Sequence, residues 1–298
     1  MKFKRLIYFA ISPLIAIALA SCGSSSSDKD KNSAEFEDAD ENLKQQLEEL
    51  IYNIPSPSEI PYLLQATGAE FNESLINPRT KVDQYASRTD KAALNLGVYA
   101  ADIGYLSSYD KTQQAIDYLN STKTLADNLG VIGSFDVEVL QKFEANISNK
   151  DSLTRLLDRT IKKTQSYLAD DNRNKLSALV VTGSFIEGLY ISTGLVKSYP
   201  KDLLPDDARN LVLTPIIRVI LDQKKSVSDM VKMLTSTSVE QTEPVTTIAS
   251  DLKALEATYA SLNIDEQIRN NKANLVLSDA NLIEITNIVE KIRMNITQ

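Results

Sequence analysis

Two stretches of this chain are each long enough for five or more helical turns and almost free of charge. Ala92 to Tyr109 is 18 residues with one charge, Asp102, and Leu176 to Val196 is 21 residues with one charge, Glu187. Length and apolarity approach the membrane-spanning range. Each stretch, however, carries several Ser, Thr, Asn or Tyr side chains, which fits a helix packed on all sides by protein neighbours better than one facing lipid. Five of the eight glycines beyond residue 23 lie here, at 97, 104, 183, 188 and 194. Glycine costs a helix about 1 kcal/mol relative to alanine, so this concentration points to close helix–helix approach.

Around this pair the remaining pattern is helical. Leu43, Leu47, Leu50, Ile51 and Ile54 form one stripe, ended by the Pro55 to Pro61 segment. A short helix ending near Gly68, an irregular or short-helical region over 69–88, and helices from about Asp90 to Ser107 and Lys111 to Leu129 follow, with Gly130 as a C-terminal cap. Apolar spacing predicts two further helices over 134–147 and 153–168, then a long one from about Asn172 to Ser198. Pro215 inside the apolar run 205–223 predicts a kink or two short helices. Helices near 226–235, 245–262 and 282–296 complete the chain. Leu275 to Leu277 is the only strand-like run, too short to build a sheet. The fold class expected is all-α, an irregular multi-helix bundle around two buried Gly-rich central helices. Residues 41–298 are expected to form one helical domain, with two lobes as an option at this size.

The first 21 residues read as a secretory signal, with Lys2, Lys4 and Arg5 ahead of an apolar run from Leu6 to Ala20. The chain's one Cys closes Leu19-Ala20-Ser21-Cys22, which resembles a bacterial lipobox. The resemblance implies cleavage before Cys22 and acylation of that residue, with two or three acyl chains giving stable membrane anchorage. Gly23 stands where an inner-membrane retention signal would place Asp, so the expected address is the outer membrane, on its periplasmic face or at the cell surface. Residues 22–40, Ser-rich and then acidic, read as a solvated tether. The leader takes three of the 32 cations, leaving 29 against 40 acids, a net charge of −11. Such a body repels nucleic acid and anionic headgroups, so the acyl chains alone are expected to reach the membrane.

The chain has no His and no Trp. Nucleophile–imidazole pairs, His-containing metal sites, disulfides and CxxC sites are therefore excluded. No cofactor or metal site is indicated. Candidate chemistry concentrates on one face of the first central helix, where Asn95, Tyr99, Asp102 and Tyr105 align, and around Glu187 and Tyr190 on the second. Both helices place a Tyr three residues after the lone acid. Two readings stay open for these six residues. They are either carboxylates satisfied by hydroxyls and by cations such as Lys91, or the lining of one ligand pocket. Whether Asp102 and Glu187 share a site is not decided by spacing, and no catalytic residue is identified.

Pro55-Ser56-Pro57, the Lys91 to Tyr105 segment with its Asn-Leu-Gly-Val-Tyr-Ala-Ala-Asp core, and Ser184 to Ile191 together resemble an uncharacterised family of Bacteroidota helical lipoproteins. The resemblance covers most of 41–298 and implies an envelope address without implying an activity. The expected function is a lipid-anchored, non-enzymatic module that binds an envelope protein or a small ligand. The alternatives are an enzyme using Asp102 or Glu187 with Tyr as proton donor, and a structural spacer.

Overall fold

In the computed structural model the residues described are 41–131, 174–261 and 280–298, less positions 52, 56–58, 67, 201 and 237, together with 142, 152, 155, 156 and 159. Their regular structure is helical, and no strand occurs among them. The expected leader and tether, the helices over 134–147 and 153–168, and the strand-like run at 275–277 lie wholly or mostly outside the described residues.

The chain enters through α1 (41–51) and α2 (Glu59–Gln65). Short 3-10 turns at Glu73–Leu75 and Arg79–Lys81 and α3 (Val82–Tyr85) then fill the region read as irregular or short-helical. The first central helix is α4 (Thr89–Ser108), followed by α5 (Thr112–Asn128), and the second is α6 (Asn174–Ser198). Then come α7 (Asp206–Leu221), α8 (Lys224–Leu234), α9 (Glu243–Ser261) and α10 (Ala280–Thr297). α4 lies between α5 and α6; α6 also packs against α10, α10 against α9, and α9 against α8.

Glycine sets the central contact. A Cβ at Gly97 would fall on the carbonyl of Val180 and within 2.6 Å of the Ser184 amide. A Cβ at Gly183 would in turn fall on the carbonyl of Leu94. The two backbones thus occupy each other's missing side chains, which fixes the axial register of α4 on α6. Gly188 is different, with nothing within 4 Å of its would-be Cβ. α6 is long and apolar enough to cross a membrane by length and composition, yet 83% of its most apolar window is buried inside the protein.

Helix ends follow local chemistry. Gly130 adopts φ +70°, and the amides of Val131 and Gly130 donate to the carbonyls of Ala126 and Asp127, closing α5 with a left-handed cap as its sequence implies. Asp110 closes α4 in the same way at φ +58°. Of the two outcomes expected at Pro215, a kink or two short helices, the second is not seen. α7 is one helix, because Pro215 sits on its exposed side, where water can serve the Leu211 carbonyl that loses its amide partner.

Candidate functional site

The fixed register of α4 on α6 brings the two lone acids together. Asp102 and Glu187 are both fully buried and hydrogen-bonded to one another. From α10, Arg293 closes on Glu187 with a fork, Nε donating to Oε2 at 3.0 Å and the second guanidinium nitrogen to Oε1 at 3.1 Å. Its guanidinium also lies 4.5 Å from the ring centroid of Tyr190. The Asn77 amide donates to Asp102 Oδ2 at 3.2 Å. Asp102 Oδ1, read as a carboxylate oxygen, finds no donor. A proton on the acid pair resolves this: one carboxyl must donate for the two to bond at all.

Burial, then the neighbouring Glu187 charge, pushes the Asp102 carboxyl well above the usual carboxylate range. Burial raises Glu187 too, against the pull of Arg293. The bidentate contact makes Glu187 the ionised member, so the shared proton rests on Asp102. Arg293 stays charged, because Glu187 more than offsets the cost of burying it.

The other four candidates meet partners within the chain. Asn95 donates from Nδ2 to the carbonyls of Ile296 at 2.9 Å and Lys91 at 3.0 Å. Tyr99 donates to the carbonyl of Pro78 at 3.0 Å. Tyr105 accepts from the Asn72 amide at 2.8 Å and stacks on Phe71. Tyr190 lies under Arg293. Burial pushes the Tyr85 and Tyr105 phenols up to about 12, so both are neutral hydrogen-bond groups at physiological pH.

Of the four, Asn95 joins Tyr85, Lys81 and Lys91 in clasping the C-terminal end of α10, whose last carbonyls have no partners within the helix. Thr297 O accepts from Tyr85 at 2.9 Å and Lys81 at 2.9 Å, and Gln298 O accepts from Lys91 at 2.8 Å. The cations also suit the negative end of the helix dipole. Lys91, expected near the acids, serves this helix end instead.

Sequence reading missed Arg293 and Asn77. Arg293 is four residues after Val289 and next to Ile292, on the flank of the buried stripe, and that position was its available signal. Asn77 is visible in sequence only as the first half of an Asn-Pro turn.

A second location has an open cavity of about 500 Å³ where the first turns of α4, α6 and α9 meet. Its wall includes Leu176, Leu179, Val239 and Val245. On the rim, Asp90 is held by Arg88 at 3.1 and 2.6 Å, by the Thr242 hydroxyl at 3.0 Å and by the Lys91 amide at 2.8 Å. Burial opposes the Asp90 charge, but these donors outweigh it and hold the carboxyl below its ordinary range. Lys175 and Glu240 complete the rim. None of these rim residues announces itself in the sequence, because three separate helix starts must converge to make the cavity. Among the described residues no group of three or more His, Cys, Asp or Glu is placed to hold a metal. Comparison with known families, with curated proteins and with solved structures finds no match.

Proposed function

We propose that this chain is a lipid-anchored module of the cell envelope, acylated at Cys22 and held at the outer membrane, whose helical body binds a small ligand without transforming it. The cavity at the starts of α4, α6 and α9 carries this reading. Its size is that of small-molecule sites, about 300–1,000 Å³, and it joins an apolar wall to a few polar groups. The residues with the richest chemistry support it by contrast. Asp102, Glu187 and Arg293 spend their hydrogen-bonding capacity on each other and on the helix network, which is the arrangement of an internal lock. The address rests on the lipobox and the tether, residues 1–40.

The experiment is native mass spectrometry of the acylated protein extracted from envelope, beside Leu176→Trp, which fills the cavity from its wall. A small molecule retained by the wild type and lost from the variant is the expected result. Equal retention, or none in either, refutes the binding reading. Cys22→Ala tests the address: the protein should leave the membrane fraction, and its persistence there would refute acyl anchorage.

A further inference from the structure

The cavity's rim also narrows the ligand's chemistry, an inference that rests on the binding reading above. Of its four charged residues, Arg88 and Asp90 close on each other, and Asp90 is further tied to Thr242. Lys175 and Glu240 are left, one in the first turn of α6 and the other in the segment leading to α9, both exposed. Neither side chain has a hydrogen-bond or ion partner among the described residues, and the Thr89 hydroxyl on the same lining is equally unengaged. Below these groups the wall is aliphatic, with Leu179, Val239 and Val245 almost fully buried.

A cation in this cavity would meet Lys175 as a like charge, an anion would meet Glu240, and a neutral apolar molecule would leave both charges to water. A ligand bearing one charge of each sign on an apolar body meets all three features. We propose that the cavity binds a zwitterionic apolar ligand, a short aliphatic peptide with free termini. Its carboxylate pairs with Lys175, its ammonium with Glu240, and its side chains lie on Leu176, with Leu179, Val239 and Val245 forming the wall behind. The Thr89 hydroxyl is available to the peptide amide. Charge selection of this kind comes from penalising the wrong ligand as much as rewarding the right one.

The test is calorimetric titration of the full acylated protein in detergent with Leu-Leu, N-acetyl-Leu-Leu, Leu-Leu-amide and the doubly blocked peptide. Free Leu-Leu should bind tightest, each single block weakening it about tenfold, or about 1.4 kcal/mol. Lys175→Gln should abolish the penalty for amidation and keep that for acetylation, and Glu240→Gln should do the reverse. Both variants should melt with the wild type, since neither side chain holds a partner. Equal affinity for the free and doubly blocked peptides overturns the zwitterion and leaves the cavity's binding role standing. Absence of heat with all four overturns the inference, and retention of a molecule by the wild type but not by Leu176→Trp then still decides the binding reading separately.

Discussion

Replacing Asp102 by Asn tests the proton assigned to the acid pair. A carboxyl whose pKa is raised on folding binds its proton more tightly folded than unfolded. Its contribution to stability is therefore full below the unfolded-state value, near 3.9, and is lost as pH rises toward the folded-state value. Across that window one extra proton is taken up on folding, and stability falls by about 1.4 kcal/mol per pH unit. Burial and the Glu187 charge raise Asp102, so this is the sign that applies. Asn is a close replica of the protonated acid, since its amide can donate to Glu187 and its oxygen can accept from the Asn77 amide. It carries no titratable proton. Asp102→Asn should accordingly gain on the wild type by about 1.4 kcal/mol for each pH unit above 4, until the folded-state pKa is reached. For a body of this size each kcal/mol moves Tm by about 2–4 °C. Denaturant unfolding at several pH values from 4 to 8 measures the difference. A gap that does not change with pH, or one that widens against Asn as pH rises, would show that Asp102 is ionised in the fold and refute the shared proton.

Glu187→Gln leaves the Arg293 guanidinium, with its side chain 16% exposed, without its counter-charge, and should cost about 3–5 kcal/mol in chemical unfolding; a loss under 1 kcal/mol would contradict the pair's role. Gly183→Ala pushes a methyl into the Leu94 carbonyl and Gly97→Ala into that of Val180, so each should destabilise by several times the gain of about 1 kcal/mol in helix propensity. Gly188→Ala meets open space and should stabilise by about 1 kcal/mol, so the three thermal melts together check whether the notch is specific to two of the three glycines. Tyr85→Phe removes one donor to Thr297 O while Lys81 keeps its own, and a cost of about 1 kcal/mol in thermal unfolding is expected.

What the sequence disclosed was local. The charge-poor runs at 92–109 and 176–196 became α4 and α6 within a few residues, and the stripes at 245–262 and 282–296 became α9 and α10, because burial on one or all faces leaves a period that composition records. At Pro215 the sequence left a kink and a break both open. The proline's helix-breaking tendency is visible in sequence, while the solvent on its side of α7 is not. The meeting of Asp102 with Glu187 depends on the axial register of two helices, and that is set by Gly97 and Gly183 acting reciprocally across 86 positions of chain. Spacing within one helix holds no information about it. Arg293 lay hidden because a cation on the edge of an apolar stripe reads as a solvated flank. Of the six candidate residues, four engage backbone or a cation that sequence could not place beside them. The cavity was least legible of all, since Lys175, Thr89 and Glu240 acquire meaning only when three helix starts converge.

With stability proposed for the acid cluster and binding for the cavity, the affinity of free Leu-Leu for the full acylated protein carrying Asp102→Asn, measured beside Lys175→Gln, separates the two most directly. The result predicted is wild-type affinity for Asp102→Asn and about a tenfold loss for Lys175→Gln. Loss of binding in Asp102→Asn with retention in Lys175→Gln would place the ligand at the acids and contradict the account.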